Sequence, residues 1–377
     1  SLATASAFPA LLVVPTNVQL QWRRQVGTFL DLPTNGQQAF DLTPEDRGKR
    51  LCHIIKGRKP YELPAVPLYI IHYGLIADWY KPLCEVGLKA IIFDEIQELR
   101  HTGTQKYTGA SDLSAGVRYV WGLSGTPIYN YGDEIWSVTN ILDYHCLGDS
   151  DSFTKEWCTG YGERVVAKPD VLGNYLKREG LMLRRTKDEV QSELPPKRRV
   201  VHLVGHDEHR YSQLIAQAVH LAKGYSDISD WHTKGQTKRL IEGESRRATG
   251  EAKAPFVAAF VRTLLEAGER VLLCAYHHAV HDSLAEDLQE FHPVKITGRE
   301  TQRDKDAAVT AFADGKTNLI QLSLRSTAGL DGLQGRGSCV VFAELDWSPA
   351  IHAQIEDRLH RLGVDASLES ILCYYMV

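Results

Sequence analysis

Short apolar runs rich in β-branched residues, most of them running into a polar residue or a turn, recur along this chain in two separate series. The first series lies at residues 10–14, 67–71, 88–93 and 117–123; the second at 270–275, 294–296, 318–322 and 338–342. Continuous apolar runs of this length predict strands buried on both faces, and buried strands alternating with helical stretches predict mostly parallel sheets covered by helices. The helical stretches are 19–29, with Val18, Trp22, Val26 and Phe29 on one face, then 211–222, 255–266, 279–291, 303–312 and 351–362. A polar stretch at 31–49 reads as connection, and 200–204 as a further short strand. Residues 224–250 are rich in Gly, Ser, Lys and Arg and read as a loop, a hinge or a helical insertion. The expected fold is therefore α/β, with one parallel-sheet lobe over 1–145, a helical linking region over 146–250 and a second parallel-sheet lobe over 251–377. At 377 residues the chain is long enough for two such lobes.

Composition excludes several classes. Lys plus Arg number 43 and Asp plus Glu 47, so the net charge of -4 rules out a uniformly basic surface but leaves room for a local basic groove. No apolar run reaches 18 residues, which excludes a membrane-spanning helix and any call for a membrane partner. The seven cysteines are scattered without a C-x2-C pair, which speaks against a cysteine zinc site and fits a reducing compartment. None of the 15 histidines falls into H-E-x-x-H, and neither G-x-S-x-G nor a strand followed by G-x-G-x-x-G occurs.

Open parallel sheets place ligands at the C-terminal ends of their strands, so the residues there carry the weight. Asp94-Glu95 closes the third run; one carboxylate can hold Mg²⁺ through water while the other orients or deprotonates an attacking water. An acidic pair opening a helix is the competing reading. Ser124-Gly125-Thr126-Pro127 follows the fourth run as a tight polar loop, or equally as a capped strand-to-helix turn. On the 351–362 stretch, Ile351, Ile355, Leu359 and Leu362 share one face; Gln354, Arg358 and Arg361 align on the other and could reach an anion, or form a solvated face with Glu356 and Asp357. Arg184, Arg185 and Lys187 cluster after an apolar run, and Ser326, Thr327 and Gly329 sit in a small-residue loop suited to close phosphate approach.

Singly these motifs are weak; their order is specific. The chain resembles the Swi/Snf-like double-stranded DNA translocase family of helicase superfamily two, with weaker likeness to its fork-remodelling, strand-annealing branch through Ala275-Tyr-His-His278. The carrying segments are Leu12-Val-Val-Pro15-Thr16-Asn17 with Trp22, Ile70-Ile-His72-Tyr73, Asp94-Glu95-Ile-Gln97 and Leu123-Ser-Gly-Thr-Pro-Ile-Tyr-Asn130. They continue with Leu183-Arg-Arg-Thr-Lys-Asp188, Phe342-Ala-Glu-Leu-Asp-Trp347-Ser-Pro349 and Gln354-x-x-Asp357-Arg358-x-His360-Arg361-x-Gly363. The resemblance implies two RecA-like lobes and ATP with Mg²⁺ hydrolysed between them. Asp94 would hold Mg²⁺, Glu95 would activate water, and Gln97, in place of the usual His, would relay the nucleotide state. Arg358 and Arg361 would meet the γ-phosphate, while Gln354 and Gly329 would line the nucleotide.

Double-stranded DNA, branched forms included, is the implied partner, with backbone tracking independent of sequence. Pro15, Thr16, Asn17, His72, Tyr73, Ser124, Gly125, Thr126, Arg184, Arg185, Lys187, Ser326, Thr327 and Trp347 are the residues the resemblance assigns to DNA contact or coupling. It further implies a monomer in isolation that can take an accessory protein, cytoplasmic in a prokaryotic or viral setting or nuclear in a eukaryote. Two departures stand out. No G-x-x-x-x-G-K-[ST] phosphate loop occurs in the 377 residues, and Val364 stands where the last motif usually has Gln. The missing loop reads as lying upstream of Ser1, and it keeps open a non-hydrolysing DNA-binding or scaffold protein that retained the two-lobed fold.

Overall fold

A computed structural model describes residues 7–30, 42–125, 131–159, 164–185, 189, 194–326 and 330–377. The chain divides into two compact units, Ser1–Arg185 and Thr186–Val377.

The first unit is built on a five-stranded, all-parallel sheet of β1 (Ala10–Val14), β2 (Cys52–Ile54), β3 (Leu68–His72), β4 (Ala90–Asp94) and β5 (Tyr119–Leu123), in the order β2-β3-β1-β4-β5. β1 is central and wholly buried, and its side chains alternate between two cores. Leu11 and Val13 pack with Ile71, Ile91, Phe93 and Trp79, while Ala10, Leu12 and Val14 pack with Ile54, Leu68 and Ile70 on the opposite face. This is the double burial that a continuous apolar run predicts.

The helix Gln19–Phe29 forms where expected, with Val18 and Val26 buried and Trp22 packed on their cluster, but Phe29, expected on the same face, is 80% exposed. The polar stretch beyond it contains an unexpected helix, Pro44–Leu51, capped by Thr43, whose Oγ1 accepts from the Asp46 N–H at 3.2 Å. The two helices approach so closely that a Cβ at Gly27 would lie 1.8 Å from the Pro44 carbonyl oxygen and one at Gly48 2.3 Å from that of Arg23. Both positions therefore require glycine. Residues 133–178 add the helices Asp133–Leu142, Ser150–Trp157 and Pro169–Arg178 around a small core of Ile135, Phe153, Leu172 and Leu176. They also add a two-stranded ribbon, β6 (Cys158–Thr159) with β7 (Val165–Val166).

The second unit carries a six-stranded, all-parallel sheet. It comprises β8 (Lys197–His202), β9 (Val271–Ala275), β10 (Val294–Ile296), β11 (Leu319–Ser323), β12 (Cys339–Phe342) and β13 (Ile371–Met376), in the order β10-β11-β9-β12-β13-β8. Again the strands feed two cores: Val271, Leu273, Cys339 and Val341 face one, Leu272, Cys274, Val340 and Phe342 the other. Each unit is thus a RecA-like parallel α/β lobe, the fold class expected.

The structure decides one reading left open by the sequence and differs from expectation at two further elements. The 224–250 stretch is mostly helical: one 36-residue helix, Trp231–Glu266, runs through it, started by Asp230 (Oδ2 to Thr233 N, 2.7 Å) and continuing past Pro255. The region expected as a separate linker, 146–250, is consequently shared, its first part packing in the first unit and its two helices, Glu208–Lys223 and Trp231–Glu266, in the second. The expected 351–362 helix stops at Leu359. Arg361 is therefore off the helix, and Leu362, expected on its buried face, is 59% exposed. The expected 200–204 strand begins earlier, at Lys197, as the edge of the second sheet.

Candidate nucleotide and nucleic-acid sites

Parallel register brings the first group of expected residues to one edge. β1 pairs Val14 with His72, and β4 pairs Asp94 with Leu123, so Pro15–Asn17, His72-Tyr73, Asp94-Glu95 and Ser124-Gly125 all leave the C-terminal ends of adjacent strands. Asp94 is held from two sides: Trp22 Nε1 donates to Oδ2 at 2.7 Å, and the buried Tyr73 hydroxyl donates to the Asp94 carbonyl oxygen at 2.7 Å. Burial first, then the carboxylates of Asp94, Glu98 and Glu95, keep the Tyr73 phenol protonated well above its ordinary range. It is a permanent donor there. Trp22 was legible as part of a motif but not as the partner of Asp94.

Glu95 adopts a left-handed backbone conformation, φ 55°, ψ 53°. For a side chain other than Gly or Asn this conformation is strained, and such strain concentrates at functional sites. It turns the chain sharply at the strand end into the short 3-10 helix Ile96–Leu99, where buried Gln97 donates through Nε2 to Glu95 Oε2. The turn packs closely on β5, since a Cβ at Gly122 would sit 2.6 Å from Ile96 Cδ1. Behind it, Arg100 Nη1 donates to the Gln97 carbonyl oxygen at 3.1 Å and Arg100 Nε lies 3.6 Å from buried Glu134. His72 accepts the Gly74 N–H through Nδ1 at 3.2 Å, and burial, then Arg58, lowers its pKa. It is neutral at physiological pH, so it can offer a phosphate a hydrogen bond but no charge.

The donor set suits nucleotide-bound Mg²⁺ better than a resident metal ion. Among the described residues no cluster of three or more His, Cys, Asp or Glu could hold a metal. Mg²⁺ in nucleotide sites takes one or two carboxylates and fills the rest of its shell with water and phosphate oxygens. Two carboxylates at a strand end match that need.

In the second unit, Gln354 and Arg358 lie on the Pro349–Leu359 helix, and Arg361 lies in the turn after it. Both arginines reach one short segment: Arg358 Nη1 donates to the Leu330 carbonyl oxygen at 3.2 Å, and Arg361 Nη1 lies 3.5 Å from Asp331 Oδ1. Ser326 and Trp347 leave the ends of β11 and β12. Beside them, Tyr276, at the end of β9, is flanked by Arg246 and Arg325, whose guanidinium carbons lie 5.1 and 5.2 Å from its ring centre. Arg246 also lies 5.4 Å from the ring of Trp347, which is 70% exposed. Neither Arg246 nor Tyr276 was an expected site residue, since the arginine comes from the helix first read as an insertion.

Arg184 and Arg185 are exposed at the end of the first unit, after Leu181 and Met182, which pack on the Ile135–Phe153 core. Thr126, Lys187, Thr327 and Gly329 lie outside the described residues. Among the described residues no helix is long and apolar enough to cross a membrane.

Comparison with known proteins places the chain in a family. The family described as SNF2-related domain matches residues 3–245, and the helicase conserved C-terminal domain matches residues 256–363. The chain is 27% identical over 373 residues to the SWI/SNF-related matrix-associated actin-dependent regulator of chromatin subfamily A-like protein 1 of Xenopus laevis, covering 96% of this chain and 36% of that protein. It is 23% identical over 394 residues to the human DNA annealing helicase and endonuclease ZRANB3, covering 98% of this chain and 34% of that one. A solved Sulfolobus solfataricus SWI2/SNF2 ATPase core in complex with dsDNA aligns at a TM-score of 0.40 and 16% identity, over 100% of this chain and 78% of that chain. The chain thus spans about a third of the length of these two curated relatives. With a family match over most of its length and a helicase C-terminal match over the rest, this chain belongs to the SNF2-related family of helicase-like ATPases.

Proposed function

We propose that this chain is the motor core of an ATP-dependent translocase on double-stranded DNA. The carrying observation is the strand-end pair Asp94-Glu95, fixed by Trp22 and Tyr73 and turned by the left-handed Glu95. In this reading Asp94 holds Mg²⁺ through water, Glu95 takes the proton of the attacking water, and Gln97, bonded to Glu95, reports the state of that carboxylate. Gln354 and Gly329 would line the nucleotide. Arg358 and Arg361 would neutralise phosphoryl charge, Arg361 as the finger, when both lobes engage one ATP.

The DNA would run over the strand-end residues. Pro15, Thr16, Asn17, His72, Tyr73, Ser124, Gly125 and Thr126 serve the first lobe, and Ser326, Thr327 and Trp347 the second, with Arg184, Arg185 and Lys187 coupling them. The arginine–aromatic group, with Arg325 and Trp347 exposed and Arg246 and Tyr276 half-buried, supports a phosphate-following role there. Branched duplexes are included among the substrates. An accessory protein is a further partner, and the chain alone is expected to be monomeric.

The test is binding of this chain to two duplexes of unrelated sequence across a salt series. Equal affinities that fall steeply with salt are expected. A strong preference for one sequence would contradict backbone tracking. The alternative, a non-hydrolysing DNA-binding scaffold, draws on the missing G-x-x-x-x-G-K-[ST] loop and shares this binding result. Turnover measurements separate the two.

A further inference from the structure

Glu356 stands on the same helix as Gln354 and Arg358 and is completely buried. A buried carboxylate is costly unless its lone pairs are filled. Here they are. Arg199 grips it with both arms, Nε to Oε1 at 2.8 Å and Nη2 to Oε2 at 2.7 Å; Lys197 Nζ reaches Oε2 at 2.8 Å; the Tyr375 hydroxyl donates to Oε1 at 2.7 Å. Lys197 and Arg199 alternate along edge strand β8 and so share a face, and Tyr375 is on its neighbour β13. Two more ties run the same way. Lys197 Nζ also meets Asp357 at 3.2 Å, and His360 Nε2 lies 3.0 Å from the Pro195 carbonyl oxygen. The stretch from Glu356 to His360 is therefore tied repeatedly to the start of β8, at Lys197 and Arg199, and to Pro195 just before it.

We propose that Glu356 is a positioning residue, clamped by Arg199, Lys197 and Tyr375 to the sheet edge so that the helix end carrying Arg358 and leading to Arg361 keeps one rotation and one register. This rests on the reading of those arginines as phosphate-facing. Arg361 lies beyond the helix, so no helical hydrogen bonds fix it, and its aim depends on where the final turn is pinned. A bidentate arginine–carboxylate pair specifies orientation as well as attraction, which a greasy contact of equal size would not. Small displacements of a catalytic group are costly in rate.

Arg199 suits the test, because its side chain is 56% exposed and its loss leaves the core intact. Backbone hydrogen exchange of the 377-residue chain is compared for the unaltered protein, Arg199→Ala, Arg199→Lys and Glu356→Gln. ATP turnover with duplex is measured in the full-length protein. In Arg199→Ala, amides 356–361 are expected to exchange about tenfold or more faster, amides of the Gln302–Ala313 helix to change far less, and the melting temperature to fall only by the part of the Glu356 stabilisation that Arg199 supplies. At the same time kcat is expected to fall about tenfold with KM for ATP within about twofold. Arg199→Lys is expected to recover part of both losses, because it keeps charge without the fork.

Unchanged exchange at 356–361 overturns the clamp whatever the ATPase result. Faster exchange with unaltered kcat, or a parallel loss of melting temperature, KM and kcat, reduces it to a stability element. If the unaltered full-length protein hydrolyses no ATP, the motor reading fails by itself, and the exchange data still decide whether the clamp holds the segment.

Discussion

Trp22 Nε1 donates a hydrogen bond to Asp94 Oδ2 at 2.7 Å, across 72 residues of chain. It joins the helix after β1 to the end of β4 and fixes the orientation of the Asp94 carboxylate. A hydrogen bond to a charged acceptor is worth about 1.5–3 kcal/mol.

Trp22→Phe removes the donor and keeps most of the ring. ATP turnover by the full-length protein should fall about tenfold and the melting temperature by several degrees, with duplex binding close to normal. Steady-state kinetics beside a thermal melt checks this. Normal turnover would mean that Asp94 needs no such partner.

The two carboxylates should fail differently. Glu95→Gln should leave Mg²⁺-dependent ATP binding intact while hydrolysis drops to background; Asp94→Ala should weaken binding itself. Calorimetric titration of ATP with and without Mg²⁺, next to turnover, separates them. Equal loss of binding in both variants would remove the division of roles.

Much of this was readable in the sequence because it depends on local pattern. β1 and the helix Gln19–Phe29 fall where apolar periodicity puts them, and the buried runs of the second series become β9 to β12. What escaped has physical causes. The Pro44–Leu51 helix is polar nearly all round, yet Thr43-Pro44-Glu45-Asp46 is a start signal that was available. The Trp231–Glu266 helix reads as helix over 255–266 and as one of three alternatives before that; glycines and an internal proline hid its continuity, and packing of its second half, where Ala252, Val257 and Val261 are buried, overrides both. The last motif was read as helix through Leu362, and only the structure shows Arg361 held by Asp331 in the following turn. The clamp on Glu356 joins it to Arg199, 157 residues away, and no spacing rule reaches that far.

Acid should loosen the second lobe. Burial alone would raise the Glu356 pKa, but hydrogen bonds from Arg199, Lys197 and Tyr375 win and bring it to about 2, against 4.5 for a free side chain. A carboxylate depressed on folding stabilises fully above its unfolded pKa and loses that stability as pH falls from about 4.5 toward 2. The loss is on the order of 3 kcal/mol. Unfolding midpoints in urea between pH 6 and 2.5 should therefore fall more steeply for the unaltered chain than for Glu356→Gln. Identical slopes would show that the buried pair does not carry this linkage.

Arg361→Ala should spare folding and duplex binding, since its ion pair with Asp331 is partly exposed and worth ~0–1 kcal/mol. Turnover at saturating ATP should drop about 10²–10³-fold, less than the largest effects of arginine fingers. Arg361→Lys should restore only part, because it lacks the planar fork. A joint decline of melting temperature, duplex binding and turnover would return Arg361 to a structural part.

The central claim is tested most directly by ATP hydrolysis of the full-length protein with no nucleic acid, single strands, blunt duplex and forked duplex. The 377-residue chain, which has no G-x-x-x-x-G-K-[ST] loop, serves as the comparison. Duplex, blunt or forked, is predicted to raise turnover at least about tenfold in the full-length protein, and the 377-residue chain to stay near background in every condition. Hydrolysis indifferent to duplex, or robust duplex-stimulated turnover by the 377-residue chain alone, would contradict the account.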